Sequence, residues 1–271
     1  MKRNLMPNQD FTEISKRYKE TSTIQSSAAD SLFALLNFNQ GESVLDVGCG
    51  TGNLTKRILD ITGSDLVGID PSLGMIVEAI DNYGTDITFY NKSAENINFC
   101  NEFDAIFCNS TFQWLKDQDR AIDNFYKALK PNGRIGIQAP GTDNYCPNFI
   151  QAIEALKNND KTKDIYSKFI SPWFFLNSAE EYTELFLKHH FYVPFSTIQT
   201  VETYHSPEEV YKIFASGAIA GYLNKDYYGC EFTEEYINEF NRVIKEEFCK
   251  QATYEGKVKL VFNRIYLVAV K

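Results

Sequence analysis

Histidine is scarce, with 3 in 271 residues, and no two of the six cysteines stand three positions apart. A structural zinc site draws on Cys and His at short, fixed spacings, so no metal site is expected. The thiols of Cys49, Cys100, Cys108, Cys146, Cys230 and Cys249 are expected to be free and mostly buried, in a reducing compartment. Long apolar runs are also missing. No stretch reaches the roughly 18–20 residues that a membrane-spanning helix needs. The opening MKRNLMPNQDF lacks the apolar core of a secretory leader. A cytoplasmic protein without a membrane partner is therefore expected. Positive charge is in deficit: 27 Lys and Arg face 36 Asp and Glu, a net charge of −9. That balance argues against nucleic acid as a partner and against a polybasic membrane contact. The remaining composition, 44% hydrophobic and 23% charged, is that of a globular chain able to bury a sizeable core.

The chain changes character near residue 140. Residues 1–140 hold 14 of the 39 aromatic side chains, and residues 141–271 hold 25. Short, nearly all-apolar runs punctuate the first part: 43–47, 65–70, 87–90, 103–108 and 134–139 read as strands. Helical spacing is expected over 10–38, from the glycine-rich turn to Ile61, over 72–82 and over 121–129, the last stopped by Pro131-Asn132-Gly133. Alternation of this kind predicts a doubly wound, mostly parallel sheet covered on both faces. In the second part, 196–204 and 259–270 read as two further strands, the last antiparallel. Helices are expected around 207–216 and 233–250. The expected organisation is one continuous α/β fold: residues 1–140 as a core with N-terminal lid helices, residues 141–271 as an aromatic-rich helical cap plus the last two strands.

The most informative segment is Asp46-Val47-Gly48-Cys49-Gly50-Thr51-Gly52-Asn53. A buried strand runs into a glycine-rich turn that opens a helix. Such a turn lets backbone approach a ligand and aims helix N–H groups at an anion. A dinucleotide fingerprint spaces its glycines GxGxxG. Here they fall at 48, 50 and 52, and Asn53 stands where the third dinucleotide glycine would be, which counts against NAD. Asp70 ends the second strand, where a carboxylate can accept from both ribose hydroxyls of a nucleoside or lead into the helix that follows.

The motif resembles that of the class I S-adenosylmethionine-dependent methyltransferases, whose Rossmann-like sheet has seven strands. The resemblance covers residues 18–139 well and the last strand pair more loosely. It implies S-adenosylmethionine as cofactor, with S-adenosylhomocysteine as product. It also implies that Asp46, Gly48, Cys49, Gly50, Gly52 and Asn53 form the loop around the methionine part. By the same likeness Asp70 holds the ribose, and Pro71 and Met75 flank the adenine. Ser93 and Ala94 stand where many relatives have an adenine-binding Asp, so their backbone groups are expected to serve. Asn109 matches a residue beside the methionine part, and Tyr18 and Gln25 match residues that close over the cofactor. Phe112-Gln113-Trp114-Leu115 and Ile137-Gln138-Ala139-Pro140 resemble the trans-aconitate and malonyl-acyl-carrier-protein methyltransferases, which esterify carboxylates.

That resemblance implies a small or acyl-carrier-bound acid as methyl acceptor, positioned by Gln113 and Trp114, in a monomer or weak dimer. A carboxylate is already a nucleophile at neutral pH, its reference pKa being about 4, so no general base is required. His189, His190 and His205 are accordingly read as non-catalytic. Lys116, Arg120 and Arg264 are cations that can meet a carboxylate or remain solvated. The alternatives are a thiol, amine or phenol acceptor, or a cofactor-binding module without turnover.

Overall fold

The computed structural model describes residues 23–271, with side chains from Ala28 onward. Helix α1 (Thr23–Leu36) leads into β1 (Val44–Val47), α2 (Asn53–Thr62), β2 (Leu66–Asp70), α3 (Leu73–Tyr83), β3 (Thr88–Asn91) and β4 (Phe103–Asn109). Then come α4 (Gln118–Ala128), β5 (Leu129–Pro140), α5 (Pro147–Lys157), α6 (Ala179–Lys188), β6 (Tyr192–His205), α7 (Pro207–Gly217), α8 (Glu234–Lys250) and β7 (Val258–Val270). Seven strands form one sheet in the order β3-β2-β1-β4-β5-β7-β6. β1 to β5 pair in parallel and β7 runs antiparallel to β5. The expected doubly wound sheet with an antiparallel last strand is what the chain forms.

Strand periodicity explains the two layers. Leu45 and Val47 of β1, with Ile106 and Cys108 of β4, enter one apolar cluster with Ile122 and Phe125 of α4 and Tyr182 and Phe186 of α6. Val44, Ala105 and Phe107 enter a second cluster with Leu32 and Leu36 of α1, Ile58 of α2 and Ile76 of α3. Alternate residues therefore serve opposite faces. Helix α1 lies close on β5: a Cβ at Gly136 would come within 2.6 Å of Leu36 Cγ. The Pro131-Asn132-Gly133 stop signal does end α4, yet the strand resumes at once. Leu129 pairs with Phe103 and Arg134 with Ala105, so the extra residues of β5 are absorbed as a bulge, with Asn132 at φ 64°. The helix expected over 10–38 is described only from Thr23, and its earlier part lies outside the described residues.

Contacts divide the described chain into two compact units. One comprises Thr23–Tyr145, Trp173–Gln199 and Asn263–Lys271; the other comprises Cys146–Pro172 and Thr200–Phe262. The second has its own aromatic core. Phe149 of α5 meets Phe214 of α7 and Phe248 of α8 at ring separations of 5.1 and 5.8 Å. Tyr228 Oη donates to the Tyr222 carbonyl at 2.6 Å, and Asn148 and Gln251 exchange hydrogen bonds at 2.9 and 3.0 Å. Only three of the six thiols, Cys49, Cys108 and Cys146, are buried, so the expectation of mostly buried cysteines is corrected. Cys100 and Cys249 fall on polar, exposed surface, where no packing draws them in.

In the first unit, His189 follows the last turn of α6 and is 7% exposed. Its Nδ1 and Nε2 lie 2.7 Å from the carboxylates of Asp123 and Asp119 on α4. The imidazole thus fastens the C-terminal end of α6 to α4, a structural task consistent with a non-catalytic histidine. We expect His189→Leu to lower stability by about 1–3 kcal/mol. Urea unfolding checks this, and an unchanged midpoint would mean that the bridge contributes nothing.

Candidate cofactor site

The site grows from the end of β1. Gly48, Gly50 and Gly52 take φ values of 74°, 53° and 83°. At Gly48 space as well as dihedral excludes a side chain, because a Cβ would lie 1.9 Å from Thr111 Oγ1. The amides of Gly48 and Cys49 both donate to the Ile69 carbonyl, at 2.8 and 3.0 Å, which folds the loop onto β2. Helix α2 then starts after Gly52, with no side-chain cap and no acid in its first turn. Its N-terminal dipole is thus available to an anionic group.

The two carboxylates hold different posts. Asp46 is 2% exposed and accepts from Thr55 Oγ1 at 2.7 Å, bracing β1 against α2 beneath the loop. Burial pushes its carboxyl up to about 7; the Thr55 hydrogen bond opposes the rise and the Asp70 charge adds to it. Asp70 sits at the β2 end, partly open. Its Oδ1 accepts from the Ser72 amide at 2.8 Å and its Oδ2 from the Gly50 amide at 3.1 Å. Burial pushes this carboxyl up to about 6, against those two hydrogen bonds. Asp70 therefore links the glycine loop to the start of α3. Ser72, not Asp70, caps that helix, accepting from the Met75 amide at 3.4 Å.

Other expected residues fall into two groups. Cys49 turns its thiol into the core, so only its backbone lies in the loop. Asn53 uses its side chain on the loop itself, donating to Thr51 Oγ1 at 3.0 Å and accepting from Tyr83 Oη at 2.8 Å. Met75 is buried on α3, and a Cβ at Gly50 would lie 4.0 Å from its Sδ. Pro71 is exposed, and its carbonyl accepts from Asn91 Nδ2 at 2.9 Å. Ser93 opens a short turn, Ala94–Asn96, whose Ala94 is buried. Tyr18 lies outside the described residues, as does the side chain of Gln25.

The third wall is the turn after β4. Ser110 adopts φ 56°, and its amide and hydroxyl bond Gln138 at 2.7 and 3.0 Å. The turn thereby delivers Asn109 and Gln113, both buried, with Asn109 Oδ1 and Gln113 Oε1 each lacking a hydrogen-bond partner. Gln113 Nε2 donates to the Ser110 carbonyl at 2.9 Å, so the unfilled pole of this amide is its acceptor oxygen. Buried acceptors of this kind suit a ligand that brings N–H or O–H groups. Trp114 packs edge-on to Trp173 at 5.5 Å. Phe112 is core, against Phe174 and Phe186. Thr55, Tyr83 and Thr111 support the site and were not anticipated, while Gln138 belongs to the 137–140 motif already singled out. Their partners are distant in sequence, so no local pattern marks them. Among the described residues no group of three His, Cys, Asp or Glu side chains is placed to hold a metal ion.

A glycine loop, a β2 carboxylate and a polar turn after β4, all at the same edge of a parallel sheet, define a nucleotide-type site at the carboxyl ends of the strands. Residues 44–133 match the family of methyltransferase domains. Over 138 residues the chain is 31% identical to malonyl-[acyl-carrier protein] O-methyltransferase of Calditerrivibrio nitroreducens, covering 50% of this chain and 54% of that protein. Over 130 residues it is 25% identical to trans-aconitate 2-methyltransferase of Deinococcus radiodurans, covering 48% and 50%. The matched part thus spans about half the length of the curated relatives. The crystal structure of the YcgJ protein from Bacillus subtilis shares the fold at TM-score 0.59, with 15% identity over 91% of this chain and 98% of that one.

The raised carboxyls give a pH dependence. Both Asp46 and Asp70 hold a proton more tightly in the folded state than at their ordinary value of 3.8. Their stabilising contribution is complete below that value and is lost as pH rises through about 6 and then about 7. Unliganded protein should therefore melt lower at about pH 8 than at about pH 5, and Asp46→Asn, which keeps an acceptor for Thr55, should flatten the upper part of that fall. Scanning calorimetry across this range checks it; an equal slope in the variant would remove Asp46 as the source.

Proposed function

We propose that the chain is an S-adenosylmethionine-dependent methyltransferase that O-methylates a carboxylate on a small or carrier-bound acid. The observation that carries the cofactor reading is the joining of the Gly48–Gly52 loop to Asp70 through the Gly50 amide. Two carboxylate oxygens with lone pairs to spare stand at a helix-opening glycine turn, a pairing suited to a ribose diol beside a carboxylate-bearing tail. The orphan acceptors Asn109 Oδ1 and Gln113 Oε1 fit the same ligand, which brings an ammonium, and the open space at Gly50 leaves room for it. Pro71, Met75, Ser93 and Ala94 would line the adenine end. On this reading residues 1–140 form the cofactor core and residues 141–271 supply the helical insertions and the last two strands.

When bound, S-adenosylmethionine supplies a methyl group on a sulfonium. A carboxylate oxygen would accept that methyl, the S–C electron pair being left on a neutral thioether. The protein's tasks are then orientation and exclusion of water, which in well-aligned systems are worth about 7–11 kcal/mol of barrier. The Trp114 ring is suited to the cationic centre. Gln113, with only an acceptor to offer, would take an N–H or O–H of the methyl acceptor or the cofactor ammonium, not its carboxylate. The carboxylate reading is supported by the relatives' names, which specify two different acids, and by the lack of any need for a base.

Thermal unfolding with S-adenosylhomocysteine, S-adenosylmethionine and NAD tests the cofactor. At 100 times its dissociation constant a ligand adds about 2.7 kcal/mol. The two sulfur nucleosides should raise the melting temperature and NAD should not. Asp70→Ala should weaken S-adenosylhomocysteine by at least about ten-fold, the worth of one charged hydrogen bond. Gln113→Ala should reduce methyl transfer to the acid more than it reduces S-adenosylhomocysteine affinity. Equal losses in both would assign Gln113 to the cofactor alone.

A further inference from the structure

Residues 173–176 belong to no helix or strand, yet two of their amides are fixed. The Phe174 amide donates to the Gln113 carbonyl at 2.9 Å, and the Leu176 amide donates to Tyr182 Oη of α6 at 3.3 Å. Alternate side chains then part company. Phe174 and Leu176 pack against the apolar cluster of the sheet. Trp173 and Phe175 meet Tyr145 instead, at ring separations of 6.4 and 5.6 Å, and Trp173 stands 5.5 Å from Trp114. Tyr145 is itself tied to β7, its carbonyl accepting from the Asn263 amide at 2.8 Å. All of these residues belong to the sheet unit.

Four contiguous rings thus form a wall beside the turn that bears Gln113. They do not close into a core. Trp114, Trp173 and Phe175 stay half-buried, whereas rings that serve packing, such as Phe112, Phe214 and Phe248, are fully buried. A second observation points the same way. Gln113 is 6% exposed, and its Oε1, one residue from Trp114, has no hydrogen-bond partner. Aromatic surface left partly open around a buried, unfilled polar atom has the make-up of a ligand pocket, mostly apolar with a few placed polar groups.

Such a wall sorts acids by their bodies. An alkyl chain or aryl ring laid on it leaves water at a gain, while a further carboxylate would lose its hydration against the rings. We propose that Trp114, Tyr145, Trp173 and Phe175 receive the body of the methyl acceptor, and that the preferred acid is an apolar monoacid, with a chain or ring in place of the further carboxylates of a short polyacid. The inference rests on the carboxylate reading above and narrows it to lipophilic acceptors. The rings select and orient the acid; its single carboxylate remains the group that accepts the methyl.

Both tryptophans of the chain, Trp114 and Trp173, lie in the wall, so indole fluorescence reports on it directly. The full chain with S-adenosylhomocysteine is titrated with butanoate, hexanoate, octanoate, 3-phenylpropanoate, malonate and trans-aconitate. Values of kcat/KM for the same acids are measured with S-adenosylmethionine. We expect affinity and kcat/KM to rise about four-fold with each added methylene, and malonate and trans-aconitate to fall below octanoate. A comparable gain with 3-phenylpropanoate also upholds the wall, and the larger gain says whether ring or chain is preferred. Phe175→Ala, its folding checked by circular dichroism and melting temperature, should raise KM for octanoate at least about ten-fold, the loss shrinking toward butanoate. Its S-adenosylhomocysteine affinity should be retained, and Phe175→Leu should restore most of the gradient. A flat dependence on chain length, a gradient that Phe175→Ala leaves intact, or a preference for malonate and trans-aconitate overturns the wall. If the unaltered chain methylates none of the acids, the carboxylate reading fails, and fluorescence titration with butanol, hexanol and octanol decides the wall separately. A chain-length gradient that Phe175→Ala abolishes upholds it, and no gradient overturns it.

Discussion

The closeness of two strand ends governs the site. β1 and β4 are parallel neighbours, and the loop leaving β1 passes so near the turn leaving β4 that no side chain fits at Gly48 beside Thr111. Gly48 leaves that space to the Thr111 side chain, and the loop curls toward β2, where its amides meet the Ile69 carbonyl and the Asp70 carboxylate. The same contact sets the height of the Ser110 turn, and hence of Asn109 and Gln113. A larger residue at Gly48 would separate the two walls and leave each intact but unrelated.

Electrostatics divides the labour between two acids that look alike in sequence. Asp46 is buried under the loop and satisfied by one hydroxyl, so its charge is costly and its place is support. Asp70 is held by two backbone amides at the surface of the same loop, where further donors can reach it. Two raised carboxyls in one small volume are a common mark of a ligand site, since burial tolerated for packing alone would favour an apolar residue. On the opposite face, His189 between Asp119 and Asp123 shows a polar cluster doing structural work, holding α6 against α4.

Much of this was legible in the residues. Strands and helices followed from apolar runs and turn residues, because parallel strands buried on both faces leave nearly continuous apolar stretches. The glycine spacing at 48, 50 and 52, with Asp70 eighteen residues later, marked the nucleotide-type site and separated it from a dinucleotide fold. What escaped were the supporting residues. Thr55 reaches Asp46 across the glycine loop, and Tyr83 reaches Asn53 from another helix. The bulge in β5 escaped too, since Pro131-Asn132-Gly133 signals a stop equally well whether the strand waits or begins at once.

The aromatic residues mark the same boundary. Their abundance after residue 140 was plain, but their allocation was not. Phe174 joins the sheet core near Phe112, Trp173 meets Trp114, and Tyr222 and Tyr228 pack together in the other unit, while Tyr204 stays exposed. Amino-acid order by itself determined the parallel strands, the helices between them and the loop that opens toward a ligand, because these rest on local periodicity and backbone dihedrals. Tertiary structure alone decided which carboxylate supports and which is presented, and which pole of Gln113 is left open, because those depend on distances between residues far apart in the chain.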